Sequence, residues 1–482
     1  MHEDLFTLRK SLDEICSVPE KIISVYSLEK HVWFDSNSEA SRKARKPEIQ
    51  TIEEFQIDPV RPFLNDIFRQ MAAPYKSDRK DNPIGQGYWI QAEFGSGKSH
   101  LLCFISALSL GDKKAWDLVK EKEEKAGKGK RESLYQFWEA GLEKKCTSQK
   151  GIFVIVKTLV GTGGGTVGLV DKGQRLSEYI LDAAKDQIQA ELGKNLSLYP
   201  VELLADRFLS EDLDRYRNDL KKFLKDPRFF EEDEFEDVDD FLRDIQDNKS
   251  PQYKKSCGNK LWRFYTEYLK VKPHIPAETE DILKHMVQVI LDEGYSGVLL
   301  VLDEVSLFMK NRDEDQRTDD EKTLVVLSNR LGKIENLPIW TVCAAQQAIE
   351  SKMGAKNIIA DDRLKLVKLL EKDKDYYDIV LSRVREVKDT AAINNYYIFY
   401  KKGFTWPNSI GKDEFSHFFP FHKPALEVLR LVTHELTTAR SAIHFMHQTL
   451  KYQVKKRGNE LIRLWELFDE ALRYEEDPSG VH

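Results

Sequence analysis

The octapeptide Ala92-Glu-Phe-Gly-Ser-Gly-Lys-Ser99 stands between the strand-like run GYWIQAEF (87–94) and the apolar helical run SHLLCFISALSL that begins at Ser99. A strand, a glycine-rich turn and a helix in direct succession leave few folds open. Glycines at 95 and 97 let the main chain curl until successive N–H groups point at one centre, and the helix N-terminus adds its partial positive charge there. Such a turn cradles phosphate oxygens, and its lining is expected to be Ala92, Glu93, Phe94, Gly95, Ser96, Gly97, Lys98, Ser99 and His100. Lys98 is placed to reach the β- and γ-phosphates of a nucleotide and Ser99 to ligate Mg2+. Ala92 replaces the glycine that usually opens this pattern, at a position that mainly shapes the turn.

The turn needs an acidic partner at the tip of a buried strand, and Asp303-Glu304 follows the apolar run Val298–Leu302. A run apolar at every position marks a strand covered on both faces, as in a parallel sheet. There the two acids divide their work: Asp303 holds Mg2+ through its water shell and Glu304 polarises the attacking water. An acid at 304 favours hydrolysis over phosphoryl transfer to a small molecule. Gln346, or Gln347 beside it, ends the next strand, LPIWTVCAAQQ (337–347), where a polar side chain can touch both the γ-phosphate and that water. Further strands are expected at 151–159 and 364–371, with helices between. The fold class expected is therefore α/β, a parallel sheet flanked by helices.

Arginines supply the remaining candidates. Arg363 immediately precedes the strand at 364–371, where ring-forming or dimerising ATPases present a cation to a neighbour's nucleotide. Arg383 and Arg385 on the following helix compete for that role, and a structural salt bridge is the plain alternative. Arg440, in LTTARSAIHFMH, starts a helix in the last all-helical part and is positioned to reach phosphates of its own subunit. The catalytic set is thus Lys98, Glu304, Gln346, Arg363 and Arg440, with Ser99 and Asp303 on the metal.

At 482 residues the chain is long enough for two to three structural units. The charge balance of 74 Lys+Arg against 81 Asp+Glu excludes an overall basic coat, so any DNA contact must be a local patch such as Arg42–Lys46 or Lys451–Arg457. Five scattered cysteines without a C-x-x-C spacing read as reduced thiols in a cytosol, and the acids in MHEDLFTLRK do not suit a signal peptide. No apolar run is long enough to span a membrane. The expected division is an N-terminal appendage at 1–85, a phosphate-binding core at 86–171 and 291–390, a helical insertion at 172–290, and a helical lid with a C-terminal helix at 391–482. Residues 112–150 read as a solvated helix pair. Ten acids against one Arg in Phe230–Asp247 give the insertion an acidic surface suited to a basic protein face. The run YYIFYKK (396–402) reads either as rings packing the junction of core and lid or as a stacking platform for single strands. The tract VGTGGGTVG (160–168) has no following Lys and is not a second phosphate turn.

Together, the Walker A turn, the LDE strand end, the polar end of the following strand, Arg363, and FPFHKPALEVLRLVTHELTTARSAIHFM as a lid resemble an AAA+ P-loop ATPase. PFHKPALEVL…TARSAIHFM and the long helical insertion before LDE are similar to the large BREX anti-phage ATPases of the BrxC/PglY family, over roughly residues 85–455. The resemblance implies the N-terminal ATPase portion of a longer protein, with ATP and Mg2+ as cofactors. It further implies hydrolysis that remodels or assembles a phage-defence complex, other defence proteins as partners, and a homo-oligomer formed on nucleotide binding in the cytoplasm. Two other readings are a nucleotide-gated scaffold with little turnover and an initiator-like DNA loader.

Overall fold

The computed structural model describes residues 10–18, 51–53, 55–74, 84–92, 97–159, 174–194, 196–230, 237–247, 250–271, 273, 277–310, 312–346, 365–368, 377, 381, 384–403, 410–435, 442–458 and 460–467. Five parallel strands form one sheet: β1 (Gln86–Ala92), β2 (Ile152–Thr158), β3 (Gly297–Asp303), β4 (Ile339–Gln346) and β5 (Lys365–Lys368), in the spatial order β2-β3-β4-β1-β5. Successive side chains of a strand point to opposite faces, and here each face has its own apolar layer. Tyr88, Ile90, Leu299, Val301, Trp340 and Val342 enter one layer, while Trp89, Val298, Leu300, Leu302, Ile339 and Cys343 enter the other. That double burial is why β3 is apolar at every position before Asp303.

The first layer is closed by α1 (Arg61–Ala72), α2 (Lys98–Ser109) and α3 (Lys113–Lys125), together with residues 134–142. The stretch expected to be a solvated helix pair instead buries Trp116 and Trp138, whose rings stack at 5.7 Å. Charged residues dominate its sequence; most occupy the outer face of an amphipathic helix, and the buried Glu123 is paired with Arg61 and accepts from the Leu134 N–H. The second layer is closed by α4 (Leu176–Leu192), α5 (Thr279–Asp292), α6 (Val305–Lys310) and α7 (Glu314–Val325).

Two further cores lie outside the sheet. Between α4 and α5, residues 204–265 gather Phe208, Phe223, Phe230, Phe241, Phe264 and Tyr265 around a centre of their own. The first and last helices of the expected insertion, α4 and α5, thus cover the sheet, and only the middle stretch builds a separate core. The C-terminal helices Thr390–Gly403, Lys412–Phe418, Lys423–Glu435 and Ala442–Gln453 form the other core, joined by Leu12, Ile15 and Cys16. Cys16–Ser17 pairs antiparallel with Glu386–Val387, and the Leu12 and Asp13 N–H groups donate to the Lys456 and Val454 carbonyls at 2.8 and 2.9 Å. The expected single appendage is therefore divided, residues 10–18 going to the C-terminal helices and 51–72 to the sheet. Sequence could not show this, because the contacts join opposite ends of the chain.

Within the C-terminal core Tyr396 is buried and stacks on Phe419 at 5.9 Å, while Ile398 and Phe399 face outward. Tyr396, Tyr397 and Tyr400 thus pack into the C-terminal core, and Phe399 does not. Within the basic cluster at 451–457, Lys455 is ion-paired with Asp13, across the two ends of the chain, and Lys456 with Glu466. Arg42–Lys46 and the tract at 160–168 lie outside the described residues. All five cysteines are free thiols. Among the described residues no helix is long and apolar enough to cross a membrane.

Candidate functional site

The carboxyl edge of a parallel sheet is where strand ends and helix starts converge, and among the described candidates Lys98, Ser99, Asp303 and Glu304 lie there. Register fixes their order: Ala92 at the end of β1 is level with Gln346 at the end of β4, and Thr158 at the end of β2 is level with Asp303 at the end of β3. β4 lies between β1 and β3, so the glycine-rich strand and the acidic strand flank the one that ends in Gln346.

From β1 the chain re-enters helical structure at Gly97, whose φ of 91° lies in the left-handed region that glycine adopts without a steric penalty. α2 begins at Lys98 after Gly97, an N-cap residue with no side chain to cap the first turn, the kind of helix start that can take an anion. The Lys98 side chain is only 6% exposed, and its Nζ is buried with no hydrogen-bond partner among the described residues. Ser99 Oγ donates to Asp303 Oδ2 at 3.4 Å. Asp303 is 4% exposed, and its carboxyl is held above the usual carboxylate range. Burial is the main cause and the neighbouring Glu304 charge adds to it; the Lys98 ammonium, the Glu304 N–H and the Ser99 hydroxyl act in the opposite sense.

Glu304 has φ 57°, a left-handed conformation that costs a non-glycine residue about 1 kcal/mol or more. Its N–H donates to Asp303 Oδ1 at 2.8 Å, and its carbonyl accepts the Phe308 N–H at 3.0 Å in the first turn of α6. The chain therefore turns sharply off β3 between the two acids. Nothing in the letters DE signals that conformation.

His100 is turned elsewhere. Its imidazole Nε2 lies 2.6 Å from the Thr51 carbonyl oxygen, and its ring meets Phe55 edge-on at 5.2 Å, so the side chain docks the 51–55 segment onto α2. Arg385 lies in the C-terminal core, where its guanidinium donates to the His417 carbonyl at 2.7 Å. Glu93, Phe94, Gly95, Ser96, Gln347, Arg363, Arg383 and Arg440 lie outside the described residues, as does the side chain of Gln346.

Among the described residues no group of three or more His, Cys, Asp or Glu side chains could cage a metal ion. A hard oxygen pair such as Ser99 and Asp303 suits Mg2+, which keeps waters and takes phosphate oxygens for the rest of its octahedron. The orphaned Lys98 ammonium suits a phosphate equally well.

Residues 265–384 match the model of the family described as BREX system ATP-binding protein BrxC/D. The matched stretch contains Asp303, Glu304 and Gln346, and the glycine-rich turn precedes it. No curated protein matches the chain.

Proposed function

We propose that this protein is a Mg2+-dependent ATPase of the AAA+ P-loop type, acting in a phage-defence complex of the BREX kind. The observation that carries the reading is the buried Lys98 ammonium, without a hydrogen-bond partner among the described residues, at the start of α2 and beside Asp303. A buried cation costs several kcal/mol unless an anion completes it, and a triphosphate at an uncapped helix N-terminus supplies that anion. The matched family's description as an ATP-binding protein supports ATP as the nucleotide.

In this reading Lys98 and the first N–H groups of α2 hold the β- and γ-phosphates. Ser99 and Asp303 would hold Mg2+, which when bound offsets charge on the phosphate oxygens. Glu304, fixed by its turn, orients the water and accepts its proton as the bond to the γ-phosphorus forms and the bond to the ADP oxygen breaks. Gln346 ends the strand between Ala92 and Asp303, where a side chain can touch both phosphate and water. Arg363 acts on the nucleotide of a neighbouring subunit and Arg440 on its own. Hydrolysis then moves the helical parts against the sheet to remodel or assemble the complex.

The test is steady-state turnover of the parent and of Glu304→Gln alongside ATP binding. Loss of a positioned base costs about 10²–10⁴-fold in rate and leaves ground-state binding in place. A Glu304→Gln variant that hydrolyses ATP at the parent rate would end the base assignment. A parent that binds ATP but hydrolyses it no faster than that variant would make the protein a nucleotide-gated scaffold.

A further inference from the structure

Two segments leave the sheet edge beside Asp303. β2 ends at Thr158, the register partner of Asp303, and the described chain resumes at Gln174 ahead of α4. β3 ends at Asp303 and continues through Glu304 into α6. A buried ion pair within the second segment ties it to the first through main-chain hydrogen bonds. The side chains of Arg312 and Asp320 are 3% and 1% exposed, and Arg312 Nε donates to Asp320 Oδ2 at 2.9 Å. Each partner also grips main chain of the other segment: the guanidinium donates to the Gln174 carbonyl, and Asp320 Oδ1 accepts the Leu176 N–H at 2.7 Å. The guanidinium lies over the Phe308 ring at 4.4 Å, and Phe308 meets Tyr179 of α4 edge-on at 5.8 Å. Phe308 is the residue whose N–H closes the first turn on the Glu304 carbonyl. Contacts therefore run without a break from Glu304 through Phe308 and Arg312 to the start of α4.

Stability alone does not call for this arrangement, since well-packed apolar residues of like volume often match or exceed a buried ion pair. What an ion pair adds is direction, because four groups must keep their angles to stay satisfied. We propose that Arg312, in the turn after α6, and Asp320, on α7, are positioning residues that latch the start of α4 to the segment leaving β3 through Glu304, so that both shift as one piece when the nucleotide changes. The proposal rests on the ATPase reading. α4 leads on to the core at 204–265, so the latch is the route by which the site reaches that core.

The experiment uses the full chain carrying Arg312→Met with Asp320→Leu, and reads turnover, ATP affinity and hydrogen exchange of residues 174–182 with and without Mg2+-ATP. In the parent, nucleotide should alter exchange in the first turn of α4. The double variant should fold and bind ATP within about threefold of the parent, lose that nucleotide-dependent change, and fall about ten- to a hundredfold in kcat. A folded double variant with parent kcat, or with the parent's exchange response, overturns the latch, as does a parent whose exchange at 174–182 ignores nucleotide. A parent that binds ATP without turnover defeats the ATPase reading instead, and the exchange comparison still judges the latch. If the double variant does not fold, Asp320→Asn, which keeps an acceptor for the Leu176 N–H and removes the charge, is read in the same way.

Discussion

The sheet and the helical core at 204–265 bury polar groups in opposite ways. In the helical core Asp212 is buried, but it accepts the Tyr265 hydroxyl at 2.5 Å and faces Arg207 at 3.5 Å. Burial, with Asp212 as acceptor, pushes the Tyr265 phenol far above its ordinary range, so that the hydroxyl stays protonated and the bond is kept. At the sheet edge Lys98 is buried without such a partner among the described residues, and Asp303 is held above the usual carboxylate range. An uncompensated charge inside a protein costs several kcal/mol, so a chain tolerates one where a ligand completes it. A compensated group is architecture. Arg312 and Asp320 have the chemistry of the first kind and the location of the second, which is why they read as a link between the two.

The largest effect expected of a variant that separates these regions is Phe223→Ala. Phe223 is fully buried against Phe229, Phe230, Phe264 and Tyr268, and its removal should cost the helical core about 3–5 kcal/mol while ATP affinity stays at the parent value. Denaturant melts followed beside nucleotide binding check this, and a parallel fall in affinity would break the separation. Tyr265→Phe is smaller, about 1–3 kcal/mol, because it strands the buried Asp212 carboxylate without its hydroxyl. Unchanged stability there would mean that Arg207 alone satisfies Asp212. The smallest effect has the opposite sign: Lys98→Met should stabilise the nucleotide-free protein by roughly 1–2 kcal/mol, since it removes an orphaned buried ammonium and keeps the stem. A lower melting temperature for that variant would show that the attraction between the Lys98 ammonium and Asp303 outweighs the cost of burying it.

Local signals were read well and distant ones poorly. The apolar runs around 87–94, 151–159, 297–305 and 337–347 became β1 to β4 with ends displaced by a few residues, because a strand buried on both faces writes its burial into consecutive letters. The strand order was not legible, since nothing local says that β4 separates β1 from β3. Nor was the pairing of Leu12 and Ile15 with the C-terminal helices, which spans nearly the whole chain. Arg312 and Asp320 sit in the highly charged stretch NRDEDQRTDDEK and look like solvated surface, and only their burial sets them apart. His100 shows the converse: adjacency to Ser99 suggested a phosphate contact, and helical geometry turned the ring to Thr51.

The central claim is that the orphaned Lys98 ammonium marks a triphosphate site, and a calorimetric titration of Mg2+-ATP into the parent and into Lys98→Met tests it most directly. The account predicts saturable binding to the parent and a loss of at least about tenfold in affinity for the variant, with both proteins folded. Equal affinities in the two titrations would contradict it.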